Sequence, residues 1–210
     1  MKIDRLILGE YQTNCYIVRT SEQATDCLVV DTGLDAGPLL EFIDKNKLNP
    51  IAVILTHGHV DHIAGVEALR AKFASIAVYI HKLDAEMLTD SMSNLSFMTG
   101  DDIRAGQADC FVDEPDIIDK VGIKLRVIHT PGHTQGGICL YAEKEGLVFV
   151  GDSLFADSVG RTDFPGGNMR QLIEGIKTKL LILPDETVVY PGHGGRTTIG
   201  REKANNPFLQ

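Results

Sequence analysis

The chain has 210 residues, is 43% hydrophobic and carries a formal net charge of −9. That length fits one domain with a sizeable core. The acidic balance argues against a nucleic-acid surface, which needs a basic stripe, and no apolar run approaches the ~20 residues of a membrane span. Asp4 and Arg5 interrupt any signal-peptide core, so a soluble, cytoplasmic protein is expected. Cys15, Cys27, Cys110 and Cys139 lie far apart with no Cys-x-x-Cys pair and read as buried reduced thiols.

In chain order, short Val/Ile/Leu-rich runs bounded by Gly, Pro, Asp or His predict strands. They fall at 2–8, 14–18, 27–30, 51–55, 76–80, 124–128, 137–141, 147–150 and 187–190. Helical patterns cover 37–46, 63–72, 82–88 and 168–181, the last with Met169, Leu172, Ile173 and Ile176 on one face. Strands interleaved with helices give an α/β class. The order suggests two similar halves, each with strands, a histidine-bearing loop and a helix. The stretch 201–207 reads as a surface segment. A single domain over 1–210 is expected, because no linker composition divides the chain.

Seven histidines occur, and three of them fall in His57-Gly58-His59-Val60-Asp61-His62. This run follows the strand at 51–55, and a loop at a strand's C-terminal end can aim side chains into one cleft. Imidazole and carboxylate suit zinc, iron or manganese. His57 and His59 can reach one ion, and Asp61 and His62 a second. Further ligand-type residues follow other strands: His133 in Thr130-Pro131-Gly132-His133, Asp152 in Gly151-Asp152, and His193 in Pro191-Gly192-His193. One oxygen of Asp152 per ion would hold a pair together. His81 and His129 do not share the pattern. They read as a cap and as a partner behind the ligands.

These elements, with Asp31-Thr32-Gly33 ahead of them, resemble the metallo-β-lactamase superfamily in family order. The resemblance implies a four-layer αββα sandwich with the metal site at one edge. It implies that His57, His59 and His133 hold one ion, that Asp61, His62 and His193 hold the other, and that Asp152 bridges them. Within the superfamily the chain is similar to the short glyoxalase II group, the hydroxyacylglutathione hydrolases, through Thr13–Val18, Gly151–Phe155, Gly160–Gly167 and Thr198–Phe208. Two departures stand out. Longer members add a C-terminal helical region that helps to bind glutathione. Arg161 stands where they place a lysine, and Asp163 where they place a tyrosine.

The expected activity is therefore hydrolysis of a small-molecule thioester, S-acylglutathione or a relative, by hydroxide generated at two divalent ions. Zinc is expected, with iron or manganese compatible. Asp61 would orient the nucleophile, and Arg161 would anchor an anionic end of the substrate, unless it pairs with Asp163 as a clasp. A mononuclear iron persulfide dioxygenase shares a Gly-Arg-Thr-Asp-Phe stretch like 160–164. An inactive metal-binding protein on the same scaffold is the non-catalytic alternative. No nucleic-acid or membrane partner is expected, and self-association stays open.

Overall fold

Side chains alternate across each strand, so a strand whose residues are apolar on both faces must be covered on both. The strand β2 (Thr13–Arg19) is buried throughout. It lies in a sheet with β1 (Lys2–Leu8), β3 (Asp26–Val30), β4 (Asn49–Ile54), β5 (Ala77–His81) and β6 (Cys110–Val112), ordered β1-β2-β3-β4-β5-β6. This computed structural model describes the backbone of residues 1–210 and every side chain except that of residue 99.

A second six-stranded sheet contains β7 (Ile117–Lys120), β8 (Ile123–His129), β9 (Ile138–Ala142) and β10 (Leu147–Gly151). A small hairpin, β11 (Leu154–Phe155) with β12 (Ser158–Val159), stands apart from it. β13 (Val188–Pro191) and β14 (Thr197–Thr198) complete the second sheet, ordered β14-β13-β10-β9-β8-β7.

Three buried clusters define four layers. Cys15, Ile17, Val29 and Val53 face Leu39 and Ile43 of α1 (Gly37–Lys45) and Leu69 of α3 (Val66–Lys72). The alternate residues Tyr16, Val18, Leu28 and Ile54 meet Leu125, Val127, Leu140 and Phe149 of the other sheet. The outer face of that sheet, with Ile128, Val148 and Val150, packs on Leu172 of α4 (Met169–Gly175) and Ile199 of α5 (Ile199–Asn205). This is the αββα metallo-β-lactamase fold. Among the described residues, no helix is long and apolar enough to cross a membrane.

β3 to β6 run parallel, and β10 runs parallel to β13. β8 shares that direction because both it and β10 pair antiparallel with β9. The carboxyl ends that carry Thr56–His62, His133, Asp152 and His193 therefore gather at one edge. Backbone bonds sew the two sheets together there: Ile138 N–H donates to Thr56 O at 2.9 Å, and Asn14 N–H to Gly192 O at 2.7 Å.

The elements depart from the sequence reading in several places, and β6, β7, β11, β12 and β14 lie outside the expected strands. The helix expected from Ile63 starts at Val60, as the one-turn α2 (Val60–Ile63), and breaks where Gly65 N–H donates to Thr32 Oγ1 at 3.0 Å. The helix expected to run to 181 becomes a π turn over Ile176–Leu180, where the Thr178 hydroxyl bonds Glu174 O at 2.7 Å. The 82–88 helix is of the 3₁₀ type. The stretch 201–207 is mostly exposed, as expected of a surface segment, but it is largely helical: it supplies most of α5 and buries Glu202 and Asn206.

Candidate metal centre

Seven side chains from both sheets meet in the cleft. His57, His59 and His133 form one group whose ring nitrogens lie within ligand-sharing distance, and Asp61, His62 and His193 form another. Asp152 stands between them. Its Oδ2 is 3.6 Å from His133 Nε2 and 3.5 Å from His193 Nε2, and its Oδ1 is 3.5 Å from His62 Nε2. His193 Nε2 lies 3.1 Å from Asp61 Oδ2 and 3.4 Å from His62 Nε2. His59 Nδ1 lies 2.9 Å from His133 Nε2.

The donor set fits divalent ions. Metal–nitrogen and metal–oxygen bonds of about 2.0–2.2 Å in a tetrahedron place neighbouring ligand atoms roughly 3.3–3.6 Å apart, close to most of these separations. Within the centre, the buried His57 Nε2 and Asp152 Oδ1 have no hydrogen-bond partner among the described residues, an arrangement that costs free energy unless something else satisfies them. Gly192 keeps the cradle open, since a Cβ there would sit 2.2 Å from Asp152 Oδ1 and 2.7 Å from His62 Cε1.

Four of the five imidazoles are held from behind. Asp31 is buried. Its Oδ2 accepts from His62 Nδ1 at 2.8 Å and from Thr56 Oγ1 at 2.8 Å, and that hydroxyl lies 3.1 Å from His57 Nδ1. His133 Nδ1 donates to Arg161 O at 2.7 Å, and His193 Nδ1 to Tyr11 O at 2.9 Å. These bonds put the second nitrogen of His57, His62, His133 and His193, with its lone pair, towards the centre. Thr13 Oγ1 donates to Asp61 Oδ2 at 2.9 Å.

Without an ion the cluster is electrostatically divided. Burial, reinforced by neighbouring imidazoles, drives His57 far below its usual range, and burial beside His133 drives His59 down to about 3. Burial also lowers His62, but Asp61, Asp31 and Asp152 outweigh it and lift the ring to about 10. Burial raises Asp61, yet His62 and His193 carry it to a net fall. His57 and His59 thus stay neutral, ready to offer a lone pair, whereas His62 must release a proton to take a cation.

A family profile described as the Metallo-beta-lactamase superfamily matches residues 8–193. The chain belongs to that superfamily. An uncharacterized protein of Mycobacterium tuberculosis is 42% identical, over 96% of this chain and 95% of its own length. A Bacillus subtilis protein named a probable metallo-hydrolase and a Haemophilus influenzae protein named hydroxyacylglutathione hydrolase GloC are each 35% identical. Both comparisons cover 100% of this chain and 98% of the relative.

Among solved structures, BLEG-1 B3 metallo-β-lactamase superposes with a TM-score of 0.93 at 38% identity, covering 100% of both chains. TTHA1623 in a di-iron-bound form gives 0.87 at 35%, covering 98% of this chain and all of that one. ETHE1 from Myxococcus xanthus gives 0.80 at 30%, covering 99% and 84%.

In this metallo-β-lactamase fold, all seven ligand-type residues singled out in the sequence converge. Arg161 lines the cavity over the centre, but its Nε and Nη2 donate to the Asp163 carboxylate at 2.8 and 2.7 Å. His81 is a cap, accepting from Leu83 N–H at 3.2 Å, and His129 Nε2 donates to Gln135 O at 2.9 Å. With Asp113 they form a further group of possible ligands. Their rings, however, stack at 4.2 Å and 14°, so the in-plane lone pairs run side by side instead of converging.

Sequence reasoning passed over two carboxylates. Asp31 was visible only as part of a family motif. Asp84 accepts from Gly58 N–H and Thr134 Oγ1 through Oδ2, at 3.1 and 2.7 Å, and from Gly136 N–H through Oδ1 at 2.6 Å. It thereby ties the two histidine loops together. Nothing in its local sequence signals that role, because its partners are remote in the chain.

Proposed function

We propose that this chain is a binuclear metal-dependent thioesterase of the short glyoxalase II type. The observation that carries the reading is the convergence of seven nitrogen and oxygen donors into two groups that share Asp152, with His57 Nε2 and Asp152 Oδ1 left unsatisfied. His57, His59 and His133 would hold one ion, Asp61, His62 and His193 the other, and Asp152 both. The similarity to the Haemophilus protein named hydroxyacylglutathione hydrolase supports the thioester assignment.

Two bound divalent cations would supply Lewis acidity, making water nucleophilic near neutral pH and polarising a carbonyl. The protein's part is positioning. Asp61, steadied by Thr13, orients the nucleophile. Asp31 keeps the protons of His57 and His62 on their outward nitrogens, and the carbonyls of Arg161 and Tyr11 do the same for His133 and His193. A thiolate leaves readily because thiols have pKa values near 8.5. Zinc fits the donor set, as does iron, and a single unit over 1–210 accommodates all of these groups.

Elemental analysis of metal-replete protein, paired with a thioester panel, tests the proposal. About two equivalents of metal and thiol release are expected. A firm plateau at one equivalent of iron, with oxygen consumption in place of hydrolysis, would establish the dioxygenase reading. Two bound ions with no turnover of any ester or thioester would leave a metal-binding protein.

A further inference from the structure

We infer that the substrate of this site carries an uncharged, apolar group, held between the segment 94–98 and a wall made by Phe155, Val159 and Phe164. The inference rests on the thioesterase reading and names the class of thioester.

The cavity over the centre has a volume of about 500 Å³. Its floor is made of proposed ligands, and its sides are apolar: Leu95 and Met98 on 94–98, then Phe155, Val159 and Phe164. Met98 is 60% exposed, and its neighbours Phe97 and Met92 are 48% and 60% exposed. Large apolar side chains thus stand uncovered where a ligand would enter, in a protein whose other apolar residues are mostly buried.

The segment is tied to the metal loop. Asn94 is fully buried; its amide donates to Met87 O at 2.8 Å and to Ile103 O at 2.9 Å. The Asn94 backbone carbonyl accepts from Val60 N–H at 2.9 Å, and Val60 lies between His59 and Asp61. Leu95 follows at φ +70°, a conformation that suits glycine or asparagine better than leucine. An apolar side chain is held there in spite of the backbone, and it lines the cavity.

Charge points the same way. Among the described lining residues, Arg161 is the one lysine or arginine. Asp163 engages two of its nitrogens, and its guanidinium lies 4.0 Å over the Phe164 ring. The pair has no net charge, and its stacking makes it part of the aromatic wall. A glutathione thioester carries two carboxylates, and no unpaired Lys or Arg in this wall meets either. An aliphatic or aromatic group finds matching surface on both sides. It can belong to the acyl half or to the thiol half of the substrate.

The test uses metal-replete protein and two thioester series. One fixes a neutral thiol, N-acetylcysteamine, and varies the acyl group over acetyl, hexanoyl and phenylacetyl. The other fixes acetyl and varies the thiol over benzyl mercaptan, N-acetylcysteamine and glutathione. In at least one series kcat/KM should rise about tenfold or more with the apolar group, since each buried methylene contributes several-fold. The series that responds identifies the half that is gripped. Met98→Asp should shrink that ratio.

Equal rates in both series, or a preference for glutathione, would overturn the inference and leave the thioesterase intact. Failure to cleave any thioester would overturn the thioesterase reading instead. Calorimetry decides the apolar subsite independently of turnover: benzyl mercaptan should bind at least tenfold more tightly than mercaptosuccinate, and the reverse order would refute the subsite.

Discussion

His62 Nδ1 donates to Asp31 Oδ2 at 2.8 Å, both groups buried, and the same oxygen takes the Thr56 hydroxyl that backs His57. One carboxylate thus orients one imidazole from each proposed metal group. Asp31→Asn can keep an oxygen for these two donors only by turning its NH2 onto the Thr56 backbone N–H, which Asp31 Oδ1 accepts at 2.8 Å. Metal retention against a chelator should fall about 10–100-fold, as for other partners behind metal-bound histidines, with the far-UV spectrum unchanged. Unchanged retention would remove Asp31 from the site.

Asp152 spans both groups, and His59 belongs to one. Asp152→Ala should cost both ions and His59→Ala chiefly one, and both variants should lose turnover. The fold should persist, because the three apolar clusters lie behind the loops that carry these residues. Circular dichroism with elemental analysis checks this. Near-normal metal content and hydrolysis in Asp152→Ala would show that the site has been misassigned.

The Arg161–Asp163 pair is exposed on both sides, so it acts as a clasp for the Phe164 wall and contributes little by itself. Arg161→Ala should lower kcat/KM on charged and neutral thioesters alike, by about fivefold or less, the scale of an exposed ion pair. Asp163→Ala frees the guanidinium and should improve carboxylate-bearing thioesters selectively. A loss confined to charged substrates in Arg161→Ala would restore Arg161 as an anchor.

Asp84 joins the loop of His57–His62 to the loop of His133. Burial raises its pKa, against the Thr134 and backbone bonds that lower it. Asp84→Ala leaves the Gly58 and Gly136 amides without their acceptor, at a cost of ~1–3 kcal/mol each, so the melting temperature should fall by several degrees. Asp84→Asn keeps the shape and one acceptor oxygen, and should recover part of both stability and metal retention. Equal melting of parent and Asp84→Ala would contradict the tie between the loops.

The ligand types were legible in the sequence because each follows an apolar strand and a tight turn, both local features. Most strand runs were legible for the same reason, as Val/Ile/Leu-rich stretches bounded by turn residues, but β6 and β7, short and partly exposed, escaped that pattern. The two-residue strands β11, β12 and β14 were not, since so short a strand exists only through its partner. The helical stretch at 199–205 was not either, because its buried Glu202 is satisfied by Thr197 and Arg201 and by the Asp157 backbone amide from a distant loop.

The grouping of the ligands was reachable from the sequence only through the family resemblance, and tertiary structure alone decided what stands behind them. Asp31 lies 31 residues from His62, and Asp84 lies 50 from Thr134, distances over which no local pattern carries information. It also placed Arg161: the sequence offers a cation on the loop after Asp152, and the folded chain sets its guanidinium against Asp163 and over the Phe164 ring at the cavity's side. The apolar lining of the cavity has the same origin. Leu95, Met98, Phe155 and Phe164 come from separate segments, and they form a wall only because the two sheets bring their loops to one edge.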